Sequence, residues 1–383
     1  MITIPYGRQE VTDADVAAVT RALRDPFLTQ GPRVPEFEAR LTETTGARYA
    51  VVFNSGTSAL HGAYFAAGIG PGRSVLTSPI TFAATANASL YLGGGVRFAD
   101  VDADTILLDP DAARQASTAD VAVLAPVHFG GQVADMDRLG RLAAERGWAI
   151  VEDGAHALGA TYATSGGARY RVGECAHSTM CCFSFHPVKH VTTGEGGAVT
   201  TNDERCYRAL LRFRTHGITR DPAELSQSEG PWYYEQQDLG FNYRLTDFQC
   251  ALGISQLTRL PEFVERRRAL AASYDAAFAG MRGVRPLASP RWSTGAYHLY
   301  VIRVPASERR RIFEQLRAAG LGVNVHYIPV YRHPYYRRHG FQDLHLPRAE
   351  AYYAEAITLP LFPGLTGEQV KEIGAAVRNA LGA

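Results

Sequence analysis

Only two of the thirty-nine basic residues in this chain are lysines, Lys189 and Lys371. Arginine serves ion pairs and phosphate contacts at least as well but stays protonated at physiological pH, so a lysine kept against that bias points to a need for a neutral amine. Lys371 falls on the polar face of the last helix and reads as solvated. Lys189 closes the apolar, aromatic run Phe183-Ser184-Phe185-His186-Pro187-Val188-Lys189, just ahead of Thr192-Thr193-Gly194-Glu195-Gly196-Gly197. Apolar surroundings lower an ammonium pKa and make the amine reactive. Random depletion of lysine by a GC-rich genome would leave the same count, so this residue needs company to be read as catalytic.

Three further segments supply it. Phe53-Asn54-Ser55-Gly56-Thr57-Ser58 reads as a strand end, a small-residue turn and a helix start, where backbone N–H groups and the helix dipole can hold an anion. An ordinary N-cap has the same appearance. Trp148-Ala149-Ile150-Val151-Glu152-Asp153 is an apolar strand with carboxylates at its C-terminal edge, where open α/β sheets hold ligands. Strand alternation turns Glu152 and Asp153 to opposite faces, so one can enter a pocket; an aspartate capping the next turn is the alternative. Phe82 could lie flat on a planar ligand or be a core aromatic. Phosphate cradle, ring stacker, strand-end carboxylate and apolar lysine, in the order 57, 82, 153, 189, together describe a pyridoxal phosphate site.

The elements that must position these residues alternate short β-rich runs with helical stretches. Strands are expected at Tyr49–Phe53, Ser74–Ser78, Val96–Asp100, Val121–His128, Trp148–Asp153, Met180–Phe185 and Gly197–Thr201, which predicts an α/β domain with a mostly parallel seven-stranded sheet. Helices are expected at Thr57–Ala67, Phe82–Leu92, Asp135–Arg146 and Asp203–Thr215, then over Thr246–Met281 with a break at Pro261. Later come strand Tyr297–Val304, helix Ser307–Ala319, strand Gly322–Val325 and two closing helices, the last opened by the capping box Thr366-Gly367-Glu368-Gln369. The large domain is placed at residues 1–250 and a smaller α+β domain at 251–383. A chain of 383 residues, 46% hydrophobic, exceeds what one core usually fills. A net charge of +1 without a basic block offers nucleic acid no electrostatic footprint. The first residues, Met1-Ile2-Thr3-Ile4-Pro5-Tyr6, do not read as a signal peptide, and no apolar run approaches a membrane span of about 20 residues. The five cysteines read as reduced core thiols, with Cys181 and Cys182 on opposite faces of one strand, in a cytoplasmic protein.

Over essentially its whole length the chain resembles the nucleotide-sugar aminotransferases of the DegT/StrS group, a branch of fold-type I pyridoxal-phosphate enzymes, and within it the pseudaminic acid pathway branch. The segments that carry the resemblance are Pro26-Phe27-Leu28-Thr29-Gln30-Gly31, Val51 to Tyr64, Glu152-Asp153-Gly154-Ala155-His156-Ala157, Phe183 to Lys189, Phe241-Asn242-Tyr243-Arg244-Leu245-Thr246-Asp247-Phe248-Gln249 and Val323-Asn324-Val325-His326-Tyr327-Ile328-Pro329-Val330-Tyr331. The resemblance implies that Lys189 forms the Schiff base, Asp153 pairs with the ring nitrogen and Phe82 stacks on the ring. It implies that Gly56, Thr57 and Ser184 bind the phosphate, and that Asn242, with Arg244 as a second candidate, reaches in from the other subunit of a homodimer. His156 stands where many members of the group have glutamine; histidine also occurs in the pseudaminic branch. Tyr6, His326 and Tyr327 are the residues expected toward the sugar nucleotide.

The activity so implied moves an amino group from L-glutamate to C4 of a UDP-linked 2-acetamido-2,6-dideoxy-4-keto hexose. Rival readings are an aminotransferase for another UDP- or TDP-linked 4-keto or 3-keto sugar, a dehydrase relative, against which Lys189 argues because those relatives typically carry histidine there, and a cofactor-binding regulatory protein without turnover. The exposed composition of Ile218–Glu229 leaves open whether that loop is a lid.

Overall fold

The computed structural model describes residues 3–382; Met1 and Ile2, part of the segment read as lacking a signal peptide, lie outside the described residues. Its centre is a seven-stranded sheet formed by β1 (Tyr49–Phe53), β2 (Ser74–Thr77), β3 (Gly95–Phe98), β4 (Val121–Ala125), β5 (Ala149–Asp153), β6 (Met180–Ser184) and β7 (Gly197–Thr201), in the spatial order β1-β7-β6-β5-β4-β2-β3. All seven expected strands form. Every pairing from β6 across to β3 is parallel, and β7 alone runs antiparallel, against both β6 and β1.

The strands are almost continuously apolar because both faces are covered. Ala50, Val52, Ile150 and Cys181 pack into one core, while Val51, Phe53, Val151 and Cys182 pack into the core on the other face. The two adjacent cysteines therefore do point opposite ways, and all five cysteines are buried and unpaired. Helices α1 (Asp13–Ala22) and α2 (Arg33–Thr45) pack on helix Asp247–Leu257, and α3 (Gly56–Ala66) and α4 (Ala84–Leu90) lie between the strands they join.

The antiparallel strand β7 has a consequence for the chemistry. Parallel neighbours need a long crossover, whereas antiparallel ones can be joined by a loop. The β6–β7 connection is such a loop, closed at its base by Phe185 N donating to Gly196 O at 2.8 Å and by Thr193 N donating to Phe185 O at 3.0 Å. Lys189 sits in it and so stays next to the strand end.

The expected helix over Thr246–Met281 is two helices, Asp247–Leu257 and Leu260–Phe278, and Pro261 is in the first turn of the second, where its missing N–H costs nothing. Leu260 and Val264 of that second helix belong to the sheet's core, and Leu270, Tyr274 and Phe278 to a second core that also holds Ile4. Residue 250 thus falls inside a helix. The second core is built on the antiparallel strands Arg285–Pro286, Tyr300–Arg303 and Ala356–Leu359, with helices Arg309–Ala318 and Gly367–Leu381. The last helix is capped as expected, Gln369 N donating to Thr366 Oγ1 at 3.1 Å and Thr366 N to Gln369 Oε1 at 2.9 Å. The expected strand Gly322–Val325 is not one: Leu321 and Asn324 make isolated bridges to Ile4 and Thr358, and the chain turns away into the cleft between the cores. The exposed segment from Ile218 is pinned by a short ribbon, Ile218–Thr219 against Glu235–Gln236. Among the described residues no helix is long and apolar enough to cross a membrane.

One buried cation ties the second half of the chain together. Arg267 is 1% exposed, and its Nη1 donates to the carbonyls of Leu361, Tyr297 and His298 at 2.9, 3.3 and 3.4 Å. Burial pushes its pKa down to about 10, so it remains protonated at neutral pH. Arg267→Met leaves three buried carbonyls without that donor and should cost about 2–4 kcal/mol. Urea unfolding checks this, and an unchanged midpoint would show that the carbonyls find other partners.

Candidate active site

A cavity of about 580 Å³ lies where the C-terminal ends of β1, β5 and β6 meet residues brought from the second half of the chain. It is lined by Gly56, Thr57, Phe82, Asp153, His156, Ser184 and Lys189, and also by Tyr6, His298, His326 and Tyr327. Of the residues expected at the site, all are present except Asn242 and Arg244.

At one end of the cavity, β1 stops and α3 begins. Ser55 is the N-cap, with extended backbone; its Oγ accepts from Ser58 N at 3.1 Å and Ser58 Oγ accepts from Ser55 N at 3.0 Å. The first N–H groups of the helix, at Gly56 and Thr57, have no intrahelical acceptor by geometry and are free for an anion. Ser184, at the end of β6, closes the cradle from the side. A Cβ on Gly56 would stand 2.9 Å from Ser184 Cβ, so the two segments meet this closely only because residue 56 is glycine.

Asp153 ends β5 and is 6% exposed. Thr85 Oγ1 donates to its Oδ2 at 2.6 Å, and Thr81, 2.7 Å from Thr85, completes that chain. Its Oδ1 accepts from Ala155 N at 3.2 Å, so the carboxylate caps the next turn as well as facing the cavity; the two readings of the sequence hold together. Asp153 forms no ion pair among the described residues. Glu152 turns to the opposite face, where His128 Nε2 meets its carboxylate at 2.7 Å.

Lys189 is half-buried and lines the cavity. Burial pushes its pKa down to about 8; the Asp153 carboxylate works against that shift and the Arg267 guanidinium adds to it. Its Nζ lies 3.4 Å from His298 Nε2. His156, 5% exposed, bonds through Nε2 to Tyr327 Oη at 3.3 Å, and its Nδ1 has no partner among the described residues. Burial and then the Lys189 charge hold its pKa well below the ordinary value, so it is neutral. His326 is buried, bonded through Nδ1 to Thr358 Oγ1 at 2.9 Å, with the Tyr6 ring centre 5.4 Å away. Phe82 lines the cavity yet is 63% exposed, an apolar ring without a cover.

A buried carboxylate lacking a cation, open N–H groups, an orphaned imidazole nitrogen and a lysine of lowered pKa are the complement of pyridoxal phosphate, and the residues present fit it. Ordinary burial requires partners for such groups. Thr85 and His298 were not anticipated. The signals in the sequence were slight: hydroxyls at 81 and 85, one helical turn apart, and one histidine in the apolar run Ala296-Tyr297-His298-Leu299-Tyr300. Asn242 is exposed and bridges to Thr215, outside its own cavity, and Arg244 is half-buried there.

Comparison with known proteins gives the family. Residues 9–378 match the DegT/DnrJ/EryC1/StrS aminotransferase family. A UDP-4-amino-4,6-dideoxy-N-acetyl-beta-L-altrosamine transaminase of Campylobacter jejuni is 36% identical over 362 residues, 93% of this chain and 92% of that protein. Among solved structures, Helicobacter pylori PseC, an aminotransferase involved in the biosynthesis of pseudoaminic acid, superposes with a TM-score of 0.90 at 31% identity, covering 98% of both chains. Spr1654 of Streptococcus pneumoniae, solved in PLP- and PMP-forms, has a TM-score of 0.90 at 32% identity; its PLP-form covers 98% of each chain.

Two outcomes are expected. Gly56→Ala should weaken pyridoxal phosphate binding roughly tenfold or more, because the cradle must open to admit the methyl group; an unaltered spectroscopic titration would remove Ser184 and Gly56 from the phosphate site. The Lys189 pKa is lowered on folding, so the folded apoprotein binds fewer protons than the unfolded chain between about pH 8 and the ordinary lysine value of 10.5. Over that window wild-type apoprotein should gain stability relative to Lys189→Met as pH rises. Parallel stability curves for the two would contradict the burial of the amine.

Proposed function

The chain belongs to the DegT/DnrJ/EryC1/StrS aminotransferase family, a family of sugar aminotransferases that use pyridoxal phosphate, and we propose that this member transfers the amino group of L-glutamate to C4 of UDP-2-acetamido-2,6-dideoxy-β-L-arabino-hex-4-ulose. Glutamate leaves as 2-oxoglutarate, and the C4 keto oxygen of the sugar is replaced by the amine. The observation that carries the reading is one cavity in which a low-pKa lysine and a buried, unpaired carboxylate face each other above a helix-start anion site. The names of the Campylobacter and Helicobacter relatives support the particular sugar, as does His156 in place of glutamine.

When bound, pyridoxal phosphate supplies an electron sink for the electron pair left behind as a proton leaves the amine-bearing carbon. The chain's residues do the rest. Gly56 and Thr57 N–H groups and Ser184 Oγ would hold the phosphate, and Phe82 would cover the ring. Asp153, fixed by Thr85, would keep the ring nitrogen protonated. Lys189 Nζ would take the proton from Cα of glutamate and release it on the far side of the amine nitrogen, two atoms from where it was taken, a role that needs a pKa near the working pH. Tyr6, His326 and Tyr327 line the side open to the sugar nucleotide.

Asn242 and Arg244 take part, in this reading, from the second subunit of a homodimer. Their place outside their own cavity supports it, as do the exposed apolar side chains of Phe27 and Phe241 in the same two segments, Phe27–Gly31 being tied to Asp247.

Lys189→Arg keeps the charge but offers no free amine, and turnover should fall about 10³-fold or more. Asp153→Asn should cost about 10²–10³-fold by leaving the ring nitrogen without its counter-charge. The decisive measurement is the second half-reaction: protein converted to its pyridoxamine form with glutamate is mixed with UDP- and TDP-linked 4-keto sugars one at a time. Return of visible absorption with the UDP-linked L-arabino sugar alone is expected; return only with a TDP sugar would refute the substrate, and no return with any would refute the activity.

A further inference from the structure

His298 Nε2 is the sole side-chain partner of the Lys189 amine among the described residues. The imidazole is 4% exposed and reaches the cavity from a segment 109 residues further along the chain. Its backbone is fixed from two directions. Arg267 donates to the carbonyls of Tyr297 and His298. Gly131, at φ +93°, passes so near that a Cβ would stand 2.6 Å from Tyr297 N and 2.8 Å from His298 N. Tyr297 itself adopts φ +51°, a left-handed conformation that bulky residues avoid and that collects at functional sites.

Packing does not account for an imidazole at this point. Its Nδ1 has no partner among the described residues, and a buried polar atom left unpaired is unfavourable. An apolar side chain of similar size would fill the space without that orphan. What the imidazole adds is Nε2. An ammonium has only donors, so next to protonated Lys189 the ring must accept at Nε2 and carry its own proton on Nδ1. The ring stays neutral, because burial and then the charge of Lys189 hold its pKa well below the ordinary value.

We infer that His298 is a positioning residue for Lys189, its Nε2 holding the amine at the reaction site whenever that amine is free to carry a proton. The inference rests on the proton-carrier role of Lys189 in the proposed transamination. The titratable and charged groups that share its surroundings are Asp153 on β5, His156 beyond it, His190 next to Lys189, Arg267 and His326.

The two-lysine sequence makes the test direct. Apoprotein labelled with ¹³Cε-lysine and carrying Lys371→Arg gives one side-chain lysine signal, whose titration midpoint in the wild-type background is expected near about 8. His298→Phe removes the acceptor, so the midpoint should move lower and the signal should sharpen as the amine gains freedom. His298→Gln places an oxygen near the former Nε2 and should restore the midpoint, whereas His298→Asn, too short to reach, should resemble Phe and serves if the Phe variant does not fold. In the loaded protein, the glutamate half-reaction should slow by roughly tenfold to a hundredfold in the Phe or Asn variant with little change in KM, and recover in Gln. A lysine midpoint unmoved by Phe and Asn, or moved equally by Gln, would overturn the role of His298. The titration needs no substrate, so loss of the reaction with every donor and acceptor would instead overturn the transamination reading.

Discussion

An amine and a carboxylate, Lys189 and Asp153, are buried in one cavity without pairing. A direct salt bridge would satisfy both and leave nothing for a ligand, while separate burial of each charge would be prohibitive without donors, acceptors or a shift in protonation. The structure resolves this by supplying partial partners. Asp153 receives Thr85 and a backbone N–H, which stabilise the carboxylate but leave its side toward the cavity free. Lys189 receives His298 and an environment that lowers its pKa to about 8. The remaining shortfall of charge and hydrogen bonding is what a cationic ring with an anionic tail can fill.

The rest of the fold serves that arrangement. Parallel strands bring the ends of β1 and β5 to one edge, with the start of α3 opening there as an anion site. The single antiparallel strand, β7, turns the lysine-bearing segment back within a loop's length and so keeps it at the same edge. The second core contributes the opposite wall through His298 and the irregular stretch Asn324–Tyr327. Arg267 fixes both the Tyr297–His298 carbonyls and Leu361, so the wall is positioned by hydrogen bonds to backbone, which are more directional than apolar packing alone.

Strands of the main sheet were readable because near-continuous runs such as Tyr49–Phe53 and Met180–Ser184 have no other stable place than between two covered faces. Gly322–Val325 instead alternates apolar and polar residues, but it borders the cavity and keeps only isolated bridges. It runs beside Ala356–Leu359, joined to it only where Asn324 and Thr358 exchange backbone hydrogen bonds, and that neighbour is a four-residue run at the end of a helix that periodicity cannot distinguish from more helix. Short apolar runs carry too little pattern to say which of them will find an edge to pair with.

Lys189, Asp153 and Thr57 could be picked out from the sequence because each lies at or close after a strand end, where residue type is set by chemistry and by the few backbone shapes a turn allows; Gly56 and Ser184 came as phosphate contacts from the family resemblance. Those constraints are local, and local information is what a sequence holds most plainly. That only one of Glu152 and Asp153 can face the cavity followed from strand alternation, also a local rule; the packing of the sheet decided that it is Asp153. Thr85, His298 and Arg267 were decided by tertiary structure alone. Thr85 and His298 are unremarked polar residues within apolar stretches and Arg267 is one of three consecutive arginines, and the meaning of each depends on a partner 68, 109 or 94 residues away. Hydrogen bonds over such separations exist only after the cores have packed, so the sequence determined the reacting groups and the tertiary structure decided what holds them in place.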